Sequence, residues 1–137
     1  MKFEFTLPRN TKQKALNMVI NSNDRNDKYV QAKMIKRIRR FAYWETLQHM
    51  DREQAPFSPS NPCEISITVY KPTNRRLDTP NLYPTVKAII DGMTEAGLWV
   101  DDDDDVIRAI TFRPGGMSGI KGQYKLIFEI EGAGGDR

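Results

Sequence analysis

The sequence predicts a single α+β domain in which about four strands form a mixed or antiparallel sheet and two main helices pack on it. Short segments that alternate polar and apolar residues are typical of half-buried strands. Two longer segments repeat apolar residues every three to four positions, as amphipathic helices do. The chain has 137 residues, of which 39% are hydrophobic and 28% charged, a size and balance typical of one globular domain. We therefore assign residues 1–137 to one domain.

The first part of the chain predicts a strand followed by a long amphipathic helix. Residues 2–8 alternate polar and apolar side chains and end at Pro8, which favours a short strand. A polar loop around residues 21–24 precedes a helix that we place from about Asp27 to His49. The apolar stripe of this helix consists of Val30, Met34, Ile38 and Phe41.

A second strand and a second helix follow a proline-rich loop over residues 51–62. Residues 64–70 alternate cleanly, which predicts a half-buried strand. The helix starts near Pro84, a residue favoured in the first helical turn, and stops at Gly97, a favoured C-terminal cap. The residues expected to face inward are Ile65, Ile67 and Val69 on the strand, and Val86, Ile89, Ile90 and Met93 on the helix.

Two further strands, at about residues 106–112 and 123–130, complete the predicted sheet. The segment between them is rich in glycine, which predicts a turn. The glycines of this turn are Gly115, Gly116 and Gly119. We expect residues 132–137 to be frayed.

The charges are unevenly distributed along the chain. The net charge of +3 combines residues 1–76, with 15 basic and 7 acidic side chains, and residues 77–137, with 6 basic and 11 acidic ones. A basic part next to a compact acidic part suggests a polyanion bound over a broad surface and a cation held locally. Nucleic acid with a divalent metal satisfies both. Alternatively, the two parts simply neutralise each other in the fold.

The composition excludes several classes of protein. A single cysteine, Cys63, cannot form an internal disulfide, and no apolar run approaches the length of a membrane span, so we expect a cytoplasmic protein without a membrane partner. A single histidine, His49, argues against a His/Cys zinc site and a Ser-His-Asp triad. We interpret Cys63 and His49 as structural, and Trp44 and Trp99 as core or interface aromatics.

The first helix carries a dense set of basic residues. Lys33, Lys36 and Arg40 lie three to four positions apart, and Arg37 and Arg39 lie between them. Such a band is either an ordinary solvated face or a surface that contacts phosphates.

Carboxylates are concentrated around the second helix, at Asp78, Asp91 and the run Asp101–Asp105. Several carboxylates on neighbouring turns suit a hard divalent ion such as Mg²⁺, which prefers oxygen ligands. A calcium EF-hand is excluded because its sixth and twelfth positions would be Val106 and Phe112. The alternative for the aspartate run is a solvated loop.

Lys87 and Asp91 lie four positions apart, so they project from the same side of the second helix, opposite its core face. A lysine beside a metal could stabilise the negative charge of a phosphoryl transition state. Alternatively the two residues form an exposed ion pair, worth less than about 1 kcal/mol.

Three stretches resemble the RusA-type Holliday-junction resolvases: residues 74–82, residues 87–93 and residues 96–102. The shared pattern is an Arg-rich loop with Asp and Asn-Leu, a helix with Lys and Asp four apart, and Ala-Gly-Leu-Trp-Val-Asp-Asp. The resemblance implies a small Mg²⁺-dependent endodeoxyribonuclease, for which Mn²⁺ can substitute. It also implies a homodimer that acts on four-way DNA junctions, in proteins often encoded by phages or prophages.

The resemblance also assigns roles to individual residues. Asp78 corresponds to the first metal-binding carboxylate, and Asp102, with Asp101 beside it, to the metal-binding aspartate after the second helix. Lys87 corresponds to the active-site lysine, and Asp91 to the aspartate of the same helix.

The chain departs from the family pattern in two places. Pro80 stands where the family has a second carboxylate, which must be replaced by another group, by water or by nothing. Asp91 or one of Asp103–Asp105 could compensate, and among these we assign Asp105 as a candidate metal ligand. Residues 83–85 form an apparent insertion, which adds nearly one helical turn and keeps the direction of the following lysine.

We therefore expect metal-assisted hydrolysis of junction DNA, with metal held by Asp78 and Asp102 and charge stabilised by Lys87. Arg75 and Arg76 would contact phosphates. The same role is expected for Lys33, Lys36, Arg37 and Arg40 of the first helix. Two alternatives remain open: a module that binds branched DNA without cutting it, and a metal-dependent hydrolase of RNA or small phosphoesters.

Overall fold

The computed structural model describes residues 1–134 and confirms an α+β domain with a four-stranded mixed sheet and two long helices. Two short 3₁₀ turns, Lys14–Leu16 and Thr79–Leu82, precede the two helices. The strands and helices in chain order are β1 (Lys2–Pro8), α1 (Lys28–His49), β2 (Cys63–Lys71), α2 (Tyr83–Ala96), β3 (Ile107–Met117) and β4 (Gln123–Gly132).

The order of the strands in the sheet is β1-β4-β2-β3. Strand β4 lies between β1 and β2 and is antiparallel to both, whereas β3 is parallel to β2. Both helices are therefore crossovers between strands of the same direction, β1-α1-β2 and β2-α2-β3. This connectivity places the start of each helix, and the loops before it, at the same end of the sheet.

The core lies between the helices and one face of the sheet. Phe5 of β1 makes edge-to-face contacts with Phe128 of β4, at a centroid distance of 5.3 Å, and with Phe41 of α1, at 6.2 Å. The residues predicted to face inward on β2 and α2 are all buried. Gly92 lets the helices approach closely, since a Cβ there would collide with the carbonyl oxygen of Arg39.

Helix α1 begins and ends close to the predicted bounds. The side chain of Asp27 caps it by accepting a hydrogen bond from Tyr29 N at 2.8 Å, as expected of an aspartate at this position. The helix ends at His49, after which Met50 N donates to Thr46 O. Neither α1 nor any other helix in residues 1–134 is long and apolar enough to cross a membrane.

The predicted glycine-rich turn is wrong in its extent. Strand β3 continues through Gly115 and Gly116, so only Gly119 of the three glycines lies in the turn that follows. Gly115 packs against Tyr70 of β2, where a Cβ would lie 2.7 Å from a ring carbon. Gly116 has a φ of 100° and lies where the register of the β2–β3 pairing shifts between Val69 and Tyr70. These glycines therefore serve a close approach and a bulge within the sheet.

The expected frayed end is partly wrong. Strand β4 extends to Gly132, and Ala133 N donates a hydrogen bond to Pro62 O at 2.9 Å. Strand pairing thus continues to residue 132, the first residue of the predicted frayed end. Residues 135–137, which the same prediction covered, lie outside the described residues.

Candidate active site and nucleic-acid interface

Lys87, Asp91 and Asp102 meet on the exposed side of α2, and we call them the Lys87 cluster. The Lys87 Nζ donates hydrogen bonds to Asp91 Oδ1 at 2.7 Å and to Asp102 Oδ2 at 3.0 Å. The side chains are 46%, 34% and 22% exposed, respectively, so the cluster is open to solvent but partly shielded. The expected projection of Lys87 and Asp91 from one side of the helix is confirmed, and the structure adds Asp102 to them.

Asp102 reaches α2 because the loop after the helix is fixed against the core. Gly97 ends the helix with a φ of 89°, which glycine adopts without strain. Trp99 is 1% exposed and donates from Nε1 to Thr94 Oγ1 at 2.7 Å. Backbone hydrogen bonds with Phe57 hold the segment on both sides of this tryptophan. The loop that presents Asp102 is thus anchored three residues earlier.

The charges of the Lys87 cluster stabilise one another. Hydrogen bonding to Asp91 raises the pKa of Lys87 above its usual range, and the hydrogen bond to Asp102 adds to this, although partial burial opposes it. Partial burial raises the pKa of Asp102, but its hydrogen bond with Lys87 and the positive charge of that ammonium outweigh this effect and bring it below the usual value. At neutral pH the ammonium of Lys87 and the carboxylate of Asp102 are therefore both charged.

None of the other predicted metal ligands shares a hydrogen bond with the Lys87 side chain within residues 1–134. Asp78 lies before the 3₁₀ turn that leads into α2; it is 66% exposed, and its ion pair is with Arg76, at 3.8 Å. Asp101 is exposed next to Asp102 and accepts a hydrogen bond from its backbone N at 2.8 Å. Asp105 is exposed, and its backbone N donates to Asp103 Oδ1 within the turn of the aspartate run.

The carboxylate oxygens of the Lys87 cluster are suitable ligands for a magnesium ion, although the cluster has only two carboxylates. Asp91 and Asp102 supply carboxylate oxygens, the ligands that Mg²⁺ prefers. Within residues 1–134, no group of three or more His, Cys, Asp or Glu side chains is arranged to hold a metal ion. Magnesium commonly keeps several waters and is bound by one or two carboxylates together with substrate phosphates. A pair of carboxylates on an open surface fits that mode of binding.

Two contacts that sequence reasoning missed tie this region to the N-terminal part of the chain. Thr85 is fully buried, and its Oγ1 accepts from Ile20 N at 2.7 Å and donates to Ile20 O at 2.8 Å. Ser22 N donates to Asn81 O at 2.7 Å, close to the start of α2. The signal available in the sequence was a threonine on the apolar face of a helix, where a buried hydroxyl needs partners.

The predicted basic face of α1 is exposed to solvent at Lys33, Lys36 and Arg40, whereas Arg37 is partly buried. The residues of this surface, which we call the basic stripe, are Lys33, Lys36, Arg37 and Arg40. The guanidinium of Arg37 donates to two backbone carbonyls of the preceding segment, so it is partly used in the fold. Arg75 and Arg76 are exposed in the loop between β2 and α2, at the end of the sheet where both helices begin.

The two tryptophans differ from each other. Of the core and interface roles expected for the tryptophans, Trp99 takes the core role, whereas Trp44 is 56% exposed on α1, which leaves only the interface role for it. Cys63 is buried and free, and burial raises the pKa of its thiol to about 11. His49 is exposed at the end of α1, with Nδ1 2.9 Å from Glu45 O. These positions agree with structural roles for Cys63 and His49.

A scan against protein-family models finds no match for this chain, and a search of curated protein sequences finds none either.

Proposed function

We propose that this chain is a Mg²⁺-dependent endonuclease that resolves four-way DNA junctions by phosphodiester hydrolysis, with Mn²⁺ as an alternative ion. The observation that supports this most is the Lys87 cluster, in which an ammonium and two carboxylates from different elements converge on an open surface. Metal-assisted phosphodiester hydrolysis requires oxygen ligands and a cationic group near the phosphate. The resemblance of residues 74–102 to RusA-type resolvases points to the same chemistry.

In this proposal each member of the cluster has a separate task. Asp91 and Asp102, together with Asp78 and Asp101 as candidate ligands, supply oxygens for a divalent ion. Such an ion, when bound, polarises the phosphodiester and lowers the pKa of attacking water. Lys87 stabilises the charge that develops on the phosphate in the transition state. Its pairing with carboxylates keeps the ammonium protonated and oriented before substrate arrives.

The DNA backbone is held by cationic surfaces outside the cluster. Arg75 and Arg76 lie on the loop that leads to Asp78, so phosphates bound there pass close to the start of α2. The basic stripe of α1 supplies further contacts. Because phosphate contacts release counterions, affinity for the junction should fall steeply with salt concentration.

We further propose that the protein acts as a homodimer in the cytoplasm. A four-way junction has approximate two-fold symmetry, and a two-fold dimer would present one Lys87 cluster to each of two equivalent strands. Paired cuts then follow from symmetry.

A second candidate function is binding of branched DNA without cleavage. It is favoured by the hydrogen bonds that already engage Asp91 and Asp102 with Lys87, and by the pairing of Asp78 with Arg76. In that case the Lys87 cluster would only stabilise the loop after α2.

Cleavage of a labelled four-way junction with Mg²⁺ or Mn²⁺ tests the proposal. We expect paired, symmetric nicks from the wild type, and a loss of at least about 100-fold in Asp102→Asn, which removes a carboxylate charge. The matched control is Asp104→Asn, an exposed carboxylate of the same run, for which we expect wild-type rates.

Three results would contradict the proposal. Tight junction binding without nicks in either metal would select the binding module. Equal losses in Asp102→Asn and Asp104→Asn would show that the aspartate run acts only through its overall charge. If a matched RNA junction or a small phosphodiester were cleaved faster than the DNA junction, the substrate would belong to a different class.

A further inference from the structure

Helix α1 carries an exposed aromatic ring at each end of its cationic surface. Tyr29 is 79% exposed and Trp44 is 56% exposed. Between them, Lys33, Lys36 and Arg40 continue the same three-to-four spacing, so all five side chains project from one side of the helix. At 1.5 Å per residue the two aromatic positions lie about 22 Å apart along the axis. This surface, the α1 track, shares no residue with the Lys87 cluster.

Within residues 1–134, the three cations of the α1 track have no partner of opposite charge. The segment 28–44 contains six basic residues and no acidic one. Among the described residues, an ion pair joins Arg39 to Glu95 at the margin of the track, but none involves Lys33, Lys36 or Arg40. A surface of this kind attracts a polyanion. A second copy of the chain is disfavoured there, because a symmetric contact would set like charges against each other.

The C-terminal end of the track can accommodate a planar ring. Trp44 borders an open cavity of about 360 Å³, together with Arg39, Arg40, Tyr43 and Glu95, of which Glu95 pairs with Arg39 at 2.9 Å. The Tyr43 ring supports the indole in edge-to-face contact, at a centroid distance of 5.0 Å and an angle of 79°. An exposed indole next to guanidinium groups is a platform on which a nucleobase can stack.

We propose that the α1 track binds single-stranded nucleic acid, with bases stacked on Trp44 and Tyr29 and phosphates on Lys33, Lys36 and Arg40. Paired bases are stacked inside a duplex and cannot reach an exposed indole, whereas unpaired bases can. At the roughly 3.4 Å axial spacing of phosphates in a duplex strand the track would span about six phosphates, and an extended unpaired strand covers the same length with fewer. The inference rests on the proposed function in that both require a nucleic-acid ligand. It makes α1 the element that binds unpaired strands near a branch point.

The test is binding of a fluorescent 12-nucleotide oligo(dT) to the full-length chain in EDTA, followed by anisotropy and by tryptophan fluorescence. We expect oligo(dT) to quench the emission of Trp44, while Trp99, which is 1% exposed, serves as an internal reference. Trp44→Ala should weaken oligo(dT) binding about tenfold, and Trp44→Phe should restore part of the loss. The matched control is Met117→Ala on β3, which removes a side chain of similar exposure, 55%, and should leave binding unchanged.

Two further ligands decide between single strands and other polyanions. The affinity of the protein for a blunt duplex of the same length should fall less than twofold in Trp44→Ala. Vesicles of phosphatidylserine and phosphatidylcholine should bind more weakly than oligo(dT) and without dependence on Trp44. Unchanged oligo(dT) binding in Trp44→Ala would overturn the inference, as would a Trp44-dependent affinity for the vesicles that exceeds that for oligo(dT).

The binding test is independent of cleavage because no divalent ion is present. If oligo(dT) binds through Trp44 but junctions are never cut, the proposed chemistry fails and the α1 track stands. If junctions are cut and Trp44→Ala leaves oligo(dT) binding intact, only the α1 track fails.

Discussion

The charges of the Lys87 cluster are paired with one another, whereas the charges of the α1 track are not. In the cluster, the ammonium of Lys87 lies within 3.0 Å of two carboxylates, and all three charges are paired within the fold. On the track, Lys33, Lys36 and Arg40 make no ion pair within residues 1–134. The cluster therefore acts over a few ångströms, whereas the track projects a field into solvent.

This difference indicates a division of labour. Paired charges keep a defined orientation and protonation state, which chemistry at one phosphate requires. Unpaired charges on a long helix attract a polyanion from a distance and exchange its counterions for protein groups. Removing a residue from the cluster should therefore change the rate of cleavage, and removing one from the track should change affinity.

Replacement of Lys87 should have the largest effect on cleavage while it changes binding little. We expect Lys87→Ala to lower the rate of junction cleavage by about 100- to 1,000-fold, because the transition state loses its cationic partner. Binding of the junction should change less than threefold. Single-turnover cleavage at saturating protein, with affinity measured separately in EDTA, checks both. A rate loss below tenfold would remove Lys87 from the chemistry.

Thr85 connects the two regions, since it ties α2 to the segment that precedes α1. Thr85→Val should lower the free energy of unfolding by about 1–3 kcal/mol, because the N–H and C=O of Ile20 lose a buried partner. Thr85→Ser keeps the hydroxyl and should recover most of this loss. Urea denaturation measures it, and equal stability of Thr85→Val and the wild type would contradict the structural role.

Neutralising two cations of the track should reduce affinity without affecting the chemistry. For the double variant Lys36→Gln/Arg40→Gln, we expect the slope of log affinity against log salt to fall by about two, since each phosphate contact contributes roughly one. Cleavage at saturating protein should remain at the wild-type rate. An unchanged salt slope, measured by anisotropy between about 50 and about 200 mM salt, would place the DNA elsewhere.

The smallest expected effect is a pH dependence of stability that comes from Asp102. Its pKa is lowered in the folded chain, so its contribution is complete above its ordinary pKa of about 3.9 and is lost as the pH falls through the lower, folded value. Lys87, whose pKa is raised, contributes throughout this acidic range. Because these groups are partly exposed, we expect a loss below about 1 kcal/mol.

Urea titrations at pH 7 and pH 3, in the wild type and in Asp102→Asn, isolate this contribution. The wild type should lose more stability between the two pH values than the variant does. A larger loss in the variant would mean that Asp102 is not stabilised in its charged form.

The spacing of apolar residues predicted much of the fold because the bounds of helices and strands depend on local sequence. The bounds of α1 follow from Asp27 and the apolar spacing, and those of α2 from Pro84 and Gly97. The path of the chain around Gly115 and Gly116 could not be predicted in this way. Whether such glycines form a turn or extend a strand depends on what packs above them, which in this fold is Tyr70 of another strand.

From helical spacing alone, the candidate site was predictable only where its residues are close in sequence, and the grouping of Asp102 with Lys87 came from the family resemblance. Lys87 and Asp91 are one helical turn apart, so their pairing follows from the helix alone. The contact of Lys87 with Asp102 depends on how the loop folds back along α2, which the buried Trp99 determines. The exposure of Trp44 likewise depends on the direction of α1, because a tryptophan near an apolar stripe can face either way.

The most direct test of the division of labour is a crossed comparison on one labelled four-way junction, in which affinity in EDTA and cleavage rate in Mg²⁺ are measured in parallel. Asp102→Asn should bind like the wild type but fail to cut, and Lys36→Gln/Arg40→Gln should bind weakly but cut at the wild-type rate once saturated. If each variant lost binding and cleavage in the same proportion, the Lys87 cluster and the α1 track would be parts of a single surface, and the division of labour between them would be contradicted.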